Sequence, residues 1–202
     1  MKNIPIALLI IALFTSCSSG KYSYHFDTGK ELDFQNGKWI LNKSESNSKI
    51  FDSELYLTSK KCFKEILGDS LIEINDLRTT KLIASKVNFD LSAADLKRLK
   101  DDTDCDYIIN VKGNIISDGA GTVSFQNSNQ YYNASNRASV QISIYDLNTG
   151  IQISSSEAYG IATDESSHFD DGSSAPKFHA SSNTLMLKAA KKLIRQYDKH
   201  QL

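Results

Sequence analysis

The hydrophobic residues of this chain recur in periods that change from one segment to the next. A short apolar stretch, KWILN at residues 38–42, predicts a first strand. From Ser48 the apolar positions take a helical spacing, and Gly68 is expected to end that helix. A second strand is predicted at residues 70–76, whereas the following TTKLIASKVNF fits a helix and a strand equally well. One face of the predicted helix carries Phe51, Leu55, Cys62, Phe63, Ile66 and Leu67.

The middle of the chain predicts a capped helix followed by a buried strand. Ser92 is suited to the N-cap, and Asp95, three residues later, can complete a capping box. The strand is expected at residues 105–115, CDYIINVKGNI. Its residues on one face are apolar, and so is Ile108 on the opposite face. Apolar residues on both faces are typical of a central strand. The residues expected to share one face are Cys105, Tyr107, Ile109 and Val111.

The clearest local pattern is a β-hairpin followed by a helix. Val140, Ile142 and Ile144 alternate with polar residues, and the segment DLNTG supplies the chemistry of a turn. Gly150 is expected at positive φ, and Asp146 is expected to bond to the turn backbone. The last segment predicts an amphipathic helix. Its core stripe is Leu185, Met186, Ala189, Ala190, Leu193, Ile194 and Tyr197.

This order of elements predicts an α/β protein, more narrowly an α+β mixed sheet. A single layer of helices is expected to pack on a mixed β-sheet that contains a C-terminal hairpin and is followed by a final amphipathic helix. Residues 38–202 are expected to form this single α/β domain. A polar, glycine-containing excursion at residues 117–137 separates the central strand from the hairpin.

The first residues have the pattern of an export signal. Lys2, an apolar run from Ile4 to Phe14 and small residues after it predict a signal peptide at residues 1–16. The stretch LFTSC resembles the bacterial lipobox, in which the cysteine is lipidated and becomes the first mature residue; Phe14 departs from the usual Leu. Lipidation of Cys17 is therefore expected. The alternative is an ordinary signal peptide, cut near residues 19 and 20, that releases a secreted protein.

Residues 17–37 are interpreted as the lipidated cysteine and a tether. The competing interpretation is a short edge strand, because Tyr22, Tyr24 and Phe26 alternate with polar residues. Two or more acyl chains such as palmitate hold a protein stably on a membrane. Ser18 replaces the Asp that would retain an enterobacterial lipoprotein at the inner membrane, so we expect the outer membrane of a bacterial cell envelope.

Charge and cysteine content narrow the function classes. Without the signal peptide the chain has 22 Lys and Arg against 24 Asp and Glu, which gives no reason to expect nucleic acid as a partner. An exported compartment permits a disulfide between Cys62 and Cys105. The alternative is two separate buried thiols, since each cysteine has apolar neighbours. A zinc site is not expected, because there is no CxxC pair and no histidine cluster.

The middle strand, the hairpin and the last helix carry a resemblance. Cys105, Asp106, Tyr107 and Gly113 match the pattern of a small residue, Asp, Tyr and apolar residues ending in Gly; Asp146, Thr149 and Gly150 match D-x-x-T-G. The chain resembles the envelope lipoproteins related to the amino-terminal domain of TolB, including the curli-secretion lipoproteins and the lipoprotein activators of penicillin-binding proteins. The resemblance implies an adaptor that binds other envelope proteins without catalysis.

Two clusters are candidate sites. The segment TDESSHFDDGSS could hold a hard cation such as Ca²⁺ through oxygen ligands, but it lacks the spacing of a calcium loop, so a solvated loop is the favoured interpretation. Tyr131 and Tyr132, in the polar excursion, are candidate interface anchors, because tyrosine is enriched in binding hot spots. Packing onto the sheet is their alternative role. The weak metal candidates are Asp164, Glu165, His168, Asp170 and Asp171.

Together these patterns predict a lipid-anchored envelope protein that acts as a non-catalytic binding or adaptor module for another envelope component. No serine, cysteine or histidine stands in a local nucleophile–base arrangement, and no cofactor motif is present in the sequence. The expected partners are the membrane, through lipidated Cys17, and an envelope protein. A homo-oligomer is a further option. The alternative function is a secreted or anchored hydrolase or small-ligand-binding protein whose site assembles from distant loops.

Overall fold

A computed structural model describes residues 20–26, 32–119, 123–124, 135–163, 177–178 and 180–202. Within these ranges, seven strands form one sheet in the order β1-β8-β7-β5-β2-β4, and β3 also pairs with β5. A separate two-stranded sheet joins β6 to β9. The strands are β1 (Lys21–His25), β2 (Trp39–Leu41), β3 (Glu45–Ser46), β4 (Leu71–Glu73), β5 (Tyr107–Asp118), β6 (Val123–Ser124), β7 (Ser135–Asp146), β8 (Ile151–Thr163) and β9 (Lys177–Phe178).

The main sheet is mixed, as predicted. β2 pairs in parallel with β4 and with β5, while β5, β7, β8 and β1 pair antiparallel. The long strands β7 and β8 form the predicted hairpin, with Asp146 opposite Ile151. β5 lies between β2 and β7, which confirms its central position.

Four α-helices of the described residues pack on this sheet. They are α1 (Asp52–Leu67), α2 (Ile74–Leu77), α3 (Ala93–Thr103) and α4 (Ser182–His200). The long helices α1 and α4 form the layer on one face, and the shorter α2 and α3 cover one part of the other face. The prediction of a mixed sheet with helices packed on it and a final amphipathic helix is confirmed. No helix among the described residues has both the length and the apolar content needed to cross a membrane.

The larger core lies between the sheet and the layer formed by α1 and α4. Leu55 and Phe63 from α1 meet Ile109 and Ile142 from the sheet, and all four are fully buried. Every residue of the predicted stripe of α4 is buried in this core. Burial of each large apolar side chain stabilises the fold by about 1.5–3 kcal/mol, so this face contributes most of the hydrophobic stabilisation.

The smaller core lies on the opposite face of the sheet. Ile108 of β5 contributes to it, whereas its neighbours in β5 contribute to the larger core, because successive side chains of a strand point to opposite faces. Ile74 of α2 and Leu96 and Leu99 of α3 pack against Ile108 there.

The helix ends follow the predicted local chemistry. Ser92 caps α3 by accepting from the backbone N–H of Asp95 at 3.2 Å, and the Asp95 carboxylate accepts from the backbone N–H of Ser92 at 3.2 Å, so the predicted capping box is confirmed. Gly68 ends α1 at a φ of 54°, as expected for a glycine C-cap.

Two sequence predictions are only partly right. The second strand covers Leu71–Glu73 and then turns directly into α2, instead of continuing to Asp76. The ambiguous stretch at residues 79–89 forms neither a helix nor a strand. It packs through Ile83 and Val87 against the smaller core, so its apolar residues reflect burial rather than a periodic element.

The prediction of a tether across residues 17–37 is wrong where the structure describes that segment. Lys21–His25 pair with β8 as an edge strand, which is the competing interpretation of the sequence. Leu32 and Phe34 are buried in the larger core, and Leu32 accepts a backbone hydrogen bond from Leu202 at 3.2 Å. The folded domain therefore includes residues before the predicted boundary at residue 38, with only residues 18–20 between Cys17 and β1.

Candidate binding surfaces

Most of the site residues predicted from the sequence lie outside the described part of the chain. This holds for the lipidation candidate Cys17 and for the interface candidates Tyr131 and Tyr132. It also holds for the weak metal candidates Asp164, Glu165, His168, Asp170 and Asp171. Lipidation, the tyrosine contact and cation binding therefore stay predictions.

The two other cysteines are free thiols, and the disulfide considered between them is not formed. Cys62 on α1 lies in the larger core, while Cys105 lies in the smaller core on the other side of the sheet. A disulfide needs Cα atoms within about 7 Å of each other, which a sheet standing between two side chains prevents. The sequence predicts that Cys105 shares a face with Tyr107, but the two lie in different cores. The reason is that β5 begins only at Tyr107 and that Asp104 is left-handed, with a φ of 55°.

Asp106 joins three segments at one end of the sheet. Its carboxylate accepts from the backbone N–H of Lys38 at 2.9 Å, from Lys100 Nζ at 3.1 Å and from Asn148 Nδ2 at 3.2 Å. The first of these bonds, with help from the other two, lowers the pKa of Asp106. Asp106 therefore links the start of β2, α3 and the hairpin turn, which is a structural role.

The hairpin turn has the predicted chemistry. Asp146 Oδ1 accepts from the backbone N–H of Asn148 at 2.7 Å and of Thr149 at 3.2 Å. Gly150 has a φ of 70°, a conformation that residues with a Cβ rarely adopt. The matched D-x-x-T-G residues therefore fix the turn.

The other residues of the matched motif also serve packing. The ring of Tyr107 stacks on Trp39 with centroids 4.1 Å apart. Gly113 lies beneath α4, where an added Cβ would collide with Met186 Sδ and approach Leu55 Cδ2 to 2.9 Å. The motif therefore brings the helix layer close to the sheet.

A groove with a basic lining runs between α1 and α4 and encloses about 350 Å³. On the α4 side it is lined by Lys188, Lys191 and Arg195, all of which are exposed. Half-buried Thr184 and Leu187 complete that wall. These residues recur at helical spacing along the side of α4 that faces away from the core.

The α1 side of this basic groove supplies Lys61, Glu65, Thr58 and, at the floor, Cys62. Burial raises the pKa of the Cys62 thiol, and Glu65 adds to that effect, while Lys191, Arg195 and Lys61 oppose it. The cationic side chains of Lys61, Lys191 and Arg195, from two helices, thus line the groove together with one acid, Glu65.

The basic groove could not be found from the sequence, because it exists only where α1 meets α4. The cationic side of α4, which forms one wall of the groove, can be predicted from the sequence. Five of the 19 residues of α4 are Lys or Arg and a single one, Asp198, is acidic. At about 100° per residue, the five cations fall within one stripe opposite the core stripe. They are Lys188, Lys191, Lys192, Arg195 and Lys199.

A second open surface lies on the face of the sheet that α2 and α3 leave uncovered. The strand register aligns His25, Glu157, Gln141, Lys112 and Glu45 in one row across five strands. Part of this row borders a depression of about 470 Å³. Lys112 Nζ lies 5.4 Å from the ring centre of Phe89, at the boundary with the smaller core.

Neither surface gathers the ligands of a metal site. Within the described ranges, no group of three or more His, Cys, Asp or Glu side chains could hold a metal ion. The basic groove presents hydroxyls, cations and the single acid Glu65, and the sheet row presents isolated charges separated by amides and hydroxyls. Both arrangements suit binding of a charged surface.

Comparisons with known proteins show the fold. No family model matches the chain, and no curated protein matches it. The structure of the PelC dodecamer from Paraburkholderia phytofirmans is 9% identical and superposes with a TM-score of 0.51 over 90% of this chain and 99% of PelC. A point variant of the PelC dodecamer from the same organism superposes at a TM-score of 0.43, with 8% identity over 88% of this chain and 97% of that one.

Lipoprotein GNA1162 from Neisseria meningitidis is 14% identical and superposes at a TM-score of 0.38 over 65% of this chain and 88% of that protein. At these identities a likeness concerns architecture alone. The similarity with a TM-score above 0.5 extends over nine-tenths of the chain. This chain therefore shares the fold of a bacterial PelC.

Proposed function

We propose that this chain is a lipid-anchored protein of the bacterial cell envelope that acts as a non-catalytic binding module for another envelope component. The absence of Asp at position 18 favours the outer membrane as its location. The observation that carries the proposal is the position of β1. Gly20 leads directly into β1, and only three residues separate β1 from Cys17. A lipid on Cys17 would hold Gly20, and with it the edge of the sheet, within about 11 Å of the membrane, since a residue spans at most about 3.6 Å.

The domain offers open surfaces to such a component. The polar row on the uncovered sheet face and the basic groove are both charged, and they lie on opposite faces of the sheet. An anchored module with two such faces can contact a membrane or a protein on one side and a second partner on the other. Transient interfaces are more polar than obligate ones, so polar surfaces can serve in them.

Self-association is part of the proposal. PelC, whose fold this chain shares, forms a dodecamer. Among the described strands β1 and β4 end the order of the main sheet, and an edge strand presents unpaired backbone groups to a neighbour. A ring or smaller oligomer of anchored copies would then present the charged faces repeatedly to the envelope component.

In-cell crosslinking of a C-terminally tagged chain, followed by mass spectrometry of the proteins that co-purify, tests the proposal. We expect a specific envelope protein to crosslink to the wild type and to be lost or weakened with Cys17→Ala, because the unanchored chain is no longer concentrated at the membrane. Crosslinks between copies of the chain would support the oligomer. If nothing crosslinks and the two chains behave alike, the binding-module proposal is wrong.

A further inference from the structure

We propose that the basic face of α4, together with its groove against α1, lies on an anionic phospholipid surface. The basic face consists of Lys188, Lys191, Lys192, Arg195 and Lys199, and Lys61 adds a cation from the α1 side of the groove. The inference rests on the proposed function and deepens it by naming what one face of the anchored module contacts. The electrostatic contact itself does not require the lipid on Cys17, so the two proposals can fail separately.

The charge of the domain is segregated. The chain as a whole has a formal net charge of −1, yet α4 carries five Lys and Arg residues against one acid. All five cationic side chains are exposed. Neither these five side chains nor Lys61 forms a salt bridge with an acid in the described residues. Lys60 and Lys64, on the neighbouring side of α1, are instead paired with Glu73 and Asp69. The basic face therefore keeps a net positive potential, since Glu65 is the one acid that lines the groove against its four cations.

The groove supplies groups that suit phosphate esters. Lys188, Lys191 and Arg195 are charge-assisted donors, and phosphate oxygens accept from such donors more strongly than from neutral ones. Thr58 and Thr184 line the same space of about 350 Å³ and add hydroxyl groups. The groove can thus seat a phosphate headgroup while the surrounding lysines contact its neighbours.

The point of attachment lies on the same side of the sheet. Gly20 packs directly against Leu185 of α4, so that an added Cβ would collide with the Leu185 side chain. Lys192 Nζ lies 4.8 Å from the ring centre of Tyr22 in β1, which joins the first strand to the basic face. The chain from Cys17 to Gly20 reaches about 11 Å at most, a distance shorter than the length of α4, which is roughly 28 Å.

A lipid on Cys17, as in the proposed function, favours a membrane over a soluble partner for this face. A domain held so close to a bilayer meets its headgroups at high local concentration, and each Lys or Arg near an anionic surface strengthens binding about fivefold. An acidic protein would have to compete for the same face. We therefore assign the basic face to anionic lipid in the membrane that holds the anchor.

A chain beginning at Ser18, which lacks Cys17 and retains all described residues, tests the contact without the anchor. Its flotation is measured with vesicles of phosphatidylcholine alone and of phosphatidylcholine with about 30% phosphatidylglycerol. We expect binding to the anionic vesicles only, reduced at least about tenfold at roughly 0.5 M NaCl. The variant Lys188→Gln/Lys191→Gln/Arg195→Gln should bind more than about tenfold more weakly.

The matched control removes the same charge elsewhere. Lys81, Lys86 and Lys97 are exposed, belong to the side of the smaller core and form no salt bridge with a described residue, so their triple Gln variant should keep wild-type binding. Equal losses in both triple variants would show that net charge alone matters and would overturn the proposal. So would binding to poly-glutamate that is tighter than binding to the anionic vesicles.

Reconstitution of the lipidated protein separates this proposal from the anchor. Flotation with phosphatidylcholine vesicles reports the anchor alone. The rate of lysine acetylation, followed by mass spectrometry, is then compared between anionic and phosphatidylcholine vesicles. In the anionic vesicles, acetylation of Lys188 and Lys191 should be at least about fivefold slower, whereas the acetylation rate of Lys97 should not change. Unchanged rates at all three lysines would overturn the membrane contact even though the anchor holds.

Discussion

The carboxylate of Asp106 accepts a hydrogen bond of 2.9 Å from the backbone N–H of Lys38, a residue 68 positions earlier in the chain. In return, the backbone N–H of Asp106 donates to the carbonyl oxygen of Lys38 at 2.9 Å. This reciprocal pair fixes where β2 begins beside β5. It also makes the fold sensitive to the protonation state of one carboxyl group.

Acidification should destabilise the wild type more steeply than Asp106→Asn. The bonds from Lys38 and Lys100 lower the pKa of Asp106 below its usual value of 3.8. A carboxyl group with a lowered pKa in the folded state stabilises the fold fully above the unfolded pKa, and that stabilisation is lost as the pH falls through the folded pKa. The difference between the two proteins should therefore be largest at neutral pH, at about 1–3 kcal/mol, and shrink below about pH 4.

Urea unfolding between about pH 3 and pH 7, followed by the fluorescence of Trp39, checks this expectation. Trp39 is the single tryptophan of the chain and is 1% exposed, so its emission reports unfolding of the core directly. Parallel stability curves for the wild type and Asp106→Asn would contradict the role given to Asp106.

Two glycines should respond differently to the same substitution. Gly113→Ala adds a Cβ into the packed space beneath Met186 and Leu55, which overpacks the core and should cost about 1–3 kcal/mol. Gly150→Ala meets open space but has a φ of 70°, so its cost of about 1 kcal/mol should arise from the backbone alone.

Asn separates these two causes, because it tolerates positive φ but is larger than Ala. Gly150→Asn should recover most of the stability, while Gly113→Asn should be worse than Gly113→Ala. Thermal melts of the four variants provide the comparison. Equal tolerance of Asn at both positions would contradict the close approach of α4 to the sheet.

The thiols of Cys62 and Cys105 should remain reduced after exposure of the folded protein to air or to oxidised glutathione. Burial raises the pKa of both groups, so little reactive thiolate is present at neutral pH. Alkylation after denaturation, followed by mass spectrometry, should find both thiols free. A peptide crosslinked between Cys62 and Cys105 would contradict their placement on opposite faces of the sheet.

Features decided by neighbouring residues could be predicted from the sequence. The capping box of Ser92 and Asp95, the turn at Gly150 and the core stripe of α4 depend on contacts within a few residues, and the structure confirms all three. Features decided by distant partners could not. The first strand is only five residues long and depends on pairing with β8, which lies far along the chain, at Ile151–Thr163.

The face of Cys105 and the basic groove show the same limit. Cys105 precedes β5, and the left-handed backbone of Asp104 turns the Cys105 side chain to the smaller core. Strand alternation alone does not predict this. The groove needs two helices that are distant in sequence. The lysine stripe of α4 could be read from the sequence, but the structure was needed to place it beside Gly20 and α1.

Attachment to a membrane through Cys17 is the claim on which the proposed function depends most. Metabolic labelling with radioactive palmitate, combined with fractionation of the cells into soluble and membrane material, measures it directly for the wild type and Cys17→Ala. The wild type should carry the label and be recovered with membranes, whereas Cys17→Ala should carry none. A wild-type chain that takes up no label and is recovered in the soluble fraction would contradict the anchored module.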